Sequence, residues 1–147
     1  HPPAQAGNIS KAFEMRMWMH SCGLIPNTAT FTSLVDCCCR LGRMADAEGL
    51  LHDMYHNNIS PNTATFTCLI DGYGKAGRLE DAFAVINLMK QAGSQPNIPT
   101  FTALLCACFQ CEAPARSPQV IEMIRAHGID PNELPQQLLR QASMASH

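Results

Sequence analysis

A period of 35 residues organises this chain. Phe31, Phe66 and Phe101 each sit inside the tripeptide Thr-Phe-Thr, and Gly7, Gly42 and Gly77 keep the same interval. Four Pro-Asn pairs do too: Pro26-Asn27, Pro61-Asn62, Pro96-Asn97 and Pro131-Asn132. Residues 28–62 align with 63–97 at 14 identities in 35 positions without a gap. Self-similarity at a fixed period of this size marks stacked copies of one supersecondary unit. Three full units follow (28–62, 63–97 and 98–132), with a half unit before them (1–27) and a capping helix or tail after them (133–147).

Each unit reads as two helices. Phe31, Leu34, Val35 and Cys38 follow the i, i+3, i+4, i+7 spacing of an apolar helical face. Phe66, Leu69, Ile70, Tyr73 and Phe101, Leu104, Leu105, Cys108 repeat it. Thr30, Thr65 and Thr100 precede the aromatics, where a hydroxyl is expected to cap the first turn. Gly42 and Gly77 then break the chain. A second apolar series runs Met44, Ala47, Leu51, Met54 and again Leu79, Ala82, Ile86, Met89. It closes at Asn58 and Gly93, residue types that tolerate left-handed backbone. The Pro of Pro-Asn ends the unit.

A helix pair this short cannot bury both faces alone, so the expected fold is all-α: a right-handed α-solenoid of stacked helix–turn–helix pairs. The half unit supplies only a second helix (Ile9, Ala12, Met15, Met19), which implies a chain that begins mid-repeat. In the tail, Gln136 takes the place of the phenylalanines, as suits a polar end. The third unit departs from the pattern. Pro114 and Pro118 replace helix formers, and Ser117-Pro118 reads as an N-cap with the first helical residue behind it. A loop of about one turn is therefore expected near 112–117, with a late second helix.

Composition excludes several classes. The 147 residues hold 10 Lys and Arg against 12 Asp and Glu, a net charge of −2. No global basic field exists to grip phosphates. Hydrophobic residues make up 46% and charged ones 15%, which is not the composition of a disordered chain. No apolar run is long enough to span a bilayer, so no membrane insertion is expected. Eight cysteines cluster as Cys37-Cys38-Cys39 and Cys106, Cys108, Cys111, with Cys22 and Cys68 alone. Three consecutive positions on a helix diverge by about 100° each and cannot converge on one metal, and no CxxC pair answers from elsewhere. Buried thiols without metal or cofactor are the expectation. The histidines His20, His52, His56 and His127 form no triad or ligand spacing with carboxylates, and no enzyme is expected.

A 35-residue helix–turn–helix unit that opens on Thr-Phe-Thr, carries Gly-Arg between its helices (Gly42-Arg43, Gly77-Arg78) and closes on Pro-Asn resembles the pentatricopeptide repeat family. The segment 67–97 is close to the family's usual pattern, the resemblance covers essentially the whole chain, and the uniform spacing looks like its P class. The resemblance implies non-catalytic, modular reading of single-stranded RNA by first-helix residues on a concave face, one base per repeat, in a mitochondrion or chloroplast. It assigns base selection to Thr32 with Asn62, Thr67 with Asn97, and Thr102 with Asn132, a Thr/Asn combination that looks like a preference for adenine. Ala29, Ala64 and Pro99 stand where the family sandwiches the base with a bulky aliphatic residue, so less stacking per base is implied. Arg40 and Lys75 match the family's basic residue near the phosphates; Gln110 does not.

The residues themselves allow blander roles. Threonine favours caps, and Pro-Asn favours turns, without any ligand. The phenylalanines lie on the apolar stripe and are expected in the core rather than under bases. Two functions follow. The first is an A-rich single-stranded RNA adaptor in organellar RNA metabolism. The second is a structural scaffold subunit, docked on proteins of a larger assembly or on a second copy. Met15, Met17 and Met19 suit the latter, because methionine-rich surfaces adapt to partners.

Overall fold

The computed structural model describes residues 27–145, and the half unit expected before Asn27 lies outside the described residues. Within them the chain is an all-α helical repeat solenoid of seven α-helices, with no strand. In chain order these are α1 (Thr28–Arg40), α2 (Met44–His56), α3 (Thr63–Lys75), α4 (Leu79–Ala92), α5 (Ile98–Gln110), α6 (Ser117–Ala126) and α7 (Gln136–Ala145). Short 3₁₀ turns occupy Pro114–Arg116 and Pro131–Glu133.

The apolar stripes dictate the packing. Phe31, Phe66 and Phe101 are 1%, 0% and 0% exposed, so all three are core residues. Each contributes about 1.5–3 kcal/mol by leaving water. The rest of the first-helix stripes lie buried with them. The second helices bury a wider stripe than the spacing alone suggests. Leu50 and Val85 are buried as well, while Leu51 is only partly so. A second helix touches both its own first helix and the first helix of the next unit, which calls for two apolar flanks.

First helices stack directly: α3 packs between α1 and α5, whereas successive second helices make no comparable contact. The first helices therefore line the tighter, inner side of the stack. Gly72 and Gly74 permit this approach. A Cβ on Gly72 would lie 2.8 Å from the Cys39 Cβ, and one on Gly74 2.8 Å from the Ala107 Cβ.

Helix ends follow residue type. Gly42, Gly77, Gly93 and Gly128 all take positive φ after their helices, and Asn58 does so with φ 57°. The third unit differs as its prolines require. The stretch expected as loop forms a 3₁₀ turn at Pro114–Arg116, because Pro118 has no N–H to bond back one full α-turn. Ser117 is not the cap expected of it. Its φ −57° and ψ −42° are already helical. Its hydroxyl is buried without a partner.

Candidate nucleic-acid interface

The N-termini of the first helices carry the candidate base-reading residues. Threonine was expected to cap these helices, but the N-cap is asparagine: Asn27 for α1, Asn62 for α3 and Asn97 for α5. The Thr65 N–H donates to Asn62 Oδ1 at 3.0 Å, and the Thr65 hydroxyl donates to the same oxygen at 2.9 Å. The Asn62 N–H donates back to Thr65 Oγ1 at 3.2 Å, closing a capping box. Asn97 and Thr100 repeat it at 3.0, 2.7 and 3.2 Å. Asparagine wins the cap because its short amide reaches the third backbone N–H from an extended residue, while the following Thr already has helical backbone.

These boxes fix which way each amide faces. The donors from threonine demand the oxygen, so Oδ1 is turned into the helix end. The Nδ2 amino groups of Asn62 and Asn97 donate to nothing among the described residues and are left outward.

Thr32 and Thr67 join the same network from the preceding helix. Thr32 Oγ1 lies 2.7 Å from Thr65 Oγ1, and Thr67 Oγ1 lies 2.9 Å from Thr100 Oγ1. The single Thr67 proton is shared between Thr100 Oγ1 and the Thr63 carbonyl, 2.8 Å away. Thr65 has spent its proton on Asn62, so Thr32 must be the donor between the two hydroxyls. Thr67 likewise has only protein acceptors for its proton. Each hydroxyl thus keeps lone pairs, and no proton, for an incoming group. Thr32 and Asn62 are brought together through Thr65, and Thr67 and Asn97 through Thr100.

The third pair is not joined in this way. Thr102 donates to the Ile98 carbonyl at 2.7 Å. Asn132 lies in the 3₁₀ turn Pro131–Glu133, where Asp130 supplies the cap by accepting from the Asn132 N–H at 3.0 Å. At the position of Thr65 and Thr100 stands Pro135, with neither hydroxyl nor N–H to offer. The Asn132 side chain has no hydrogen bond among the described residues.

Ala29, Ala64 and Pro99 occupy the second position of α1, α3 and α5, and all are exposed. Their small surfaces leave room above the threonines but little to stack on. Arg40 and Lys75 end α1 and α3, about 12 Å along the helix from the threonines at 1.5 Å per residue. Each is paired on its own helix, Arg40 with Asp36 and Lys75 with Asp71 at 2.9 Å. Gln110 holds the third such place, exposed and uncharged.

Burial holds several of the described thiols in the protonated form. Burial first, then the Asp46 charge, pushes the Cys38 thiol up to about 11. Burial and Asp36 push Cys68 up to about 12, and the Cys68 thiol donates to Asp36 at 3.5 Å. Such groups stay protonated near neutrality, the wrong form for a nucleophile or metal ligand. No cluster of three or more ligating side chains occurs among the described residues.

The relay role of Thr65 and Thr100 was missed in the sequence, where they read as caps. The Thr-Phe-Thr repeat was the available signal, since its two threonines face consecutive helices. Ion pairs between units were missed too. Arg78 meets Glu48 at 3.5 Å and Arg116 meets Glu80 at 2.5 Å, residues 30 and 36 apart.

The profile of the PPR repeat family matches residues 26–73 and 61–110. No curated protein sequence gives a significant match. Among solved structures, the pentatricopeptide repeat protein PPR10 from maize superposes with a TM-score of 0.74 at 24% identity, over 86% of this chain and 18% of its own. PPR10 in complex with an 18-nt psaJ RNA element gives 0.77 at 23%, over 87% and 19%. The PPR domain of Arabidopsis thaliana protein-only RNase P 1, in complex with tRNA, gives 0.74 at 18%, over 93% and 69%. At these identities the likeness is one of fold, and the chain spans about a fifth of the maize protein's length.

Proposed function

The chain belongs to the pentatricopeptide repeat family, and from that membership we propose that it binds single-stranded RNA, one base per repeat, on the open face of α1, α3 and α5. The observation that carries this reading is the direction of the hydrogen bonds at the Thr/Asn pairs. At Thr32–Asn62 and Thr67–Asn97 the hydroxyl offers lone pairs and the amide offers protons. Adenine is complementary: its N6 amine donates, and the neighbouring ring nitrogen accepts. Guanine and uracil place a carbonyl where the hydroxyl has only lone pairs. Cytosine shares adenine's pattern, but the short threonine leaves space that a purine fills better. An A-rich target is therefore favoured. The solved complexes of PPR10 with RNA and of the Arabidopsis domain with tRNA support the ligand class.

Binding by this chain alone is weak. Base–aromatic stacking is worth roughly 1–3 kcal/mol per base. Ala29, Ala64 and Pro99 supply less than an aromatic platform would, against an association cost of about 4–15 kcal/mol. The chain acts without catalysis, as part of a longer array or assembly, in organellar RNA processing, stability, splicing or translation. The deciding experiment titrates oligo(A), oligo(C), oligo(G) and oligo(U) at one stated salt concentration. Oligo(A) should bind above oligo(U) and oligo(G), and Thr67→Asn should move the central position toward a pyrimidine. Equal, negligible binding to all four would overturn the reading.

A second reading draws on the neutralised Arg40 and Lys75, which leave α1, α3 and α5 without an unpaired positive charge: a scaffold subunit docked on proteins of a larger complex. Recovery of a stable protein complex after nuclease treatment would favour it.

A further inference from the structure

We infer that Thr65 and Thr100 are positioning residues for base selection, and that Pro135, in the same place one unit later, leaves the third site less able to tell amino from keto bases. The inference rests on the RNA-reading proposal above and concerns how strictly each site reads.

Thr65 and Thr100 are fully buried, so neither can touch a base. Each nevertheless fixes both members of a reading pair. The Thr65 hydroxyl has one proton and two lone pairs. The proton goes to Asn62 Oδ1, one lone pair takes the Asn62 N–H, and the other takes the Thr32 proton. Any other assignment sets two oxygen lone pairs against each other at under 3 Å. With Thr65 saturated, Thr32 cannot turn its proton outward without abandoning a 2.7 Å bond, and Asn62 cannot flip without losing two donors. Thr100 does the same for Asn97, and the single Thr67 proton is shared between Thr100 Oγ1 and the Thr63 carbonyl, both within the protein. Polarity is thus stored one layer beneath the surface that meets the ligand.

Pro135 removes the device. Nothing directs the Asn132 oxygen inward, so its amide presents donor or acceptor at equal cost. Thr102 keeps only the bond to its own helix carbonyl. With the amide undirected and only the hydroxyl held, the third site should favour adenine over guanine far less than the first two.

The test selects a randomised single-stranded RNA pool on the 147-residue chain and on Thr65→Val, Thr65→Ser and Thr100→Val, then compares base enrichment position by position. Valine keeps the shape and the backbone N–H but removes the hydroxyl. The unaltered chain should enrich A over G at two adjacent positions, by about 5- to 150-fold for a discrimination of roughly 1–3 kcal/mol. At the third, the two bases should fall within about threefold. Thr65→Val should lower the A-over-G ratio at the first position by about fivefold or more and leave the second unchanged. Thr65→Ser should restore it. A merely structural role would lower both positions together.

Three results would overturn the inference alone: an unchanged ratio in Thr65→Val, equal losses at both positions, or a third position as selective as the first two. No enrichment at any position, or no A-over-G preference at the first two, would overturn the RNA-reading proposal and the inference with it.

Discussion

Glu112 stands where Gly42 and Gly77 stand in the earlier units and shares their left-handed backbone, with φ 56° against 72° and 74°. A side chain bearing a Cβ costs about 1–2 kcal/mol in that region. Glycine removes the cost but loses more entropy on folding, by roughly 0.5–1 kcal/mol. Glu112→Gly should therefore raise stability by up to about 1.5 kcal/mol, read as a higher urea midpoint with unchanged slope; a lower midpoint would contradict it. The turn itself was legible from the earlier glycines, whereas the exception is visible only once the third unit is set in register. Ser117 teaches the same at the next turn. Read locally, Ser-Pro is a helix start; read in register, Ser117 replaces Ala47 and Ala82, both fully buried. Register wins, because tertiary packing fixes where the helix lies and the local cap preference is worth only about 1 kcal/mol. The Thr/Asn network follows similar logic. Residue types and spacing were plain in the sequence, but the direction of each proton depends on a threonine from the neighbouring unit.

At the scale of elements, the helix pairs and their apolar stripes were readable because the 3.6-residue period repeats in every unit and the units confirm one another. The closeness of approach was not readable, since it depends on which side chains meet across helices. Gly74 lies where unit one has Cys39 and unit three has Phe109, so the register alone does not ask for glycine there. The structure does: the α3 backbone comes so near α5 that an added Cβ would lie 2.8 Å from the Ala107 Cβ and 3.0 Å from its Cα. Neither is the far end of a flexible side chain, so the helices themselves must part. Gly74→Ala should destabilise by about 1–3 kcal/mol despite alanine's better helix propensity. At Gly72 the nearest obstacle is the Met44 sulfur, which can swing aside, though Cys39 is close behind it. Gly72→Ala should therefore cost less than Gly74→Ala, and thermal melts of the two variants check the order. The reverse order would mean that α1 and α3, rather than α3 and α5, form the tighter seam.

Across the whole molecule, the net charge of −2 and the repeated Asp36–Arg40 and Asp71–Lys75 pairs act together on the salt dependence of binding. Single-stranded nucleic acid releases counterions with a slope of about −0.7 per phosphate neutralised. Two basic residues along α1, α3 and α5 set a limit near −1.4 for log K against log salt. The real value should be shallower still. A phosphate that captures Arg40 displaces Asp36, and the freed carboxylate gathers a cation of its own, returning part of what the RNA released. Because these pairs are exposed, salt already screens them and little energy is needed to open them. Affinity must then come from base contacts, which respond little to salt, and selectivity should survive where phosphate-dominated binding fades. Titrating oligo(A) between about 50 and 200 mM salt should give a slope between 0 and about −1.4, with the preference over oligo(U) retained at the upper end. A slope steeper than about −3 would mean that phosphates are met by basic residues off this face, and would shift the interface away from the first helices.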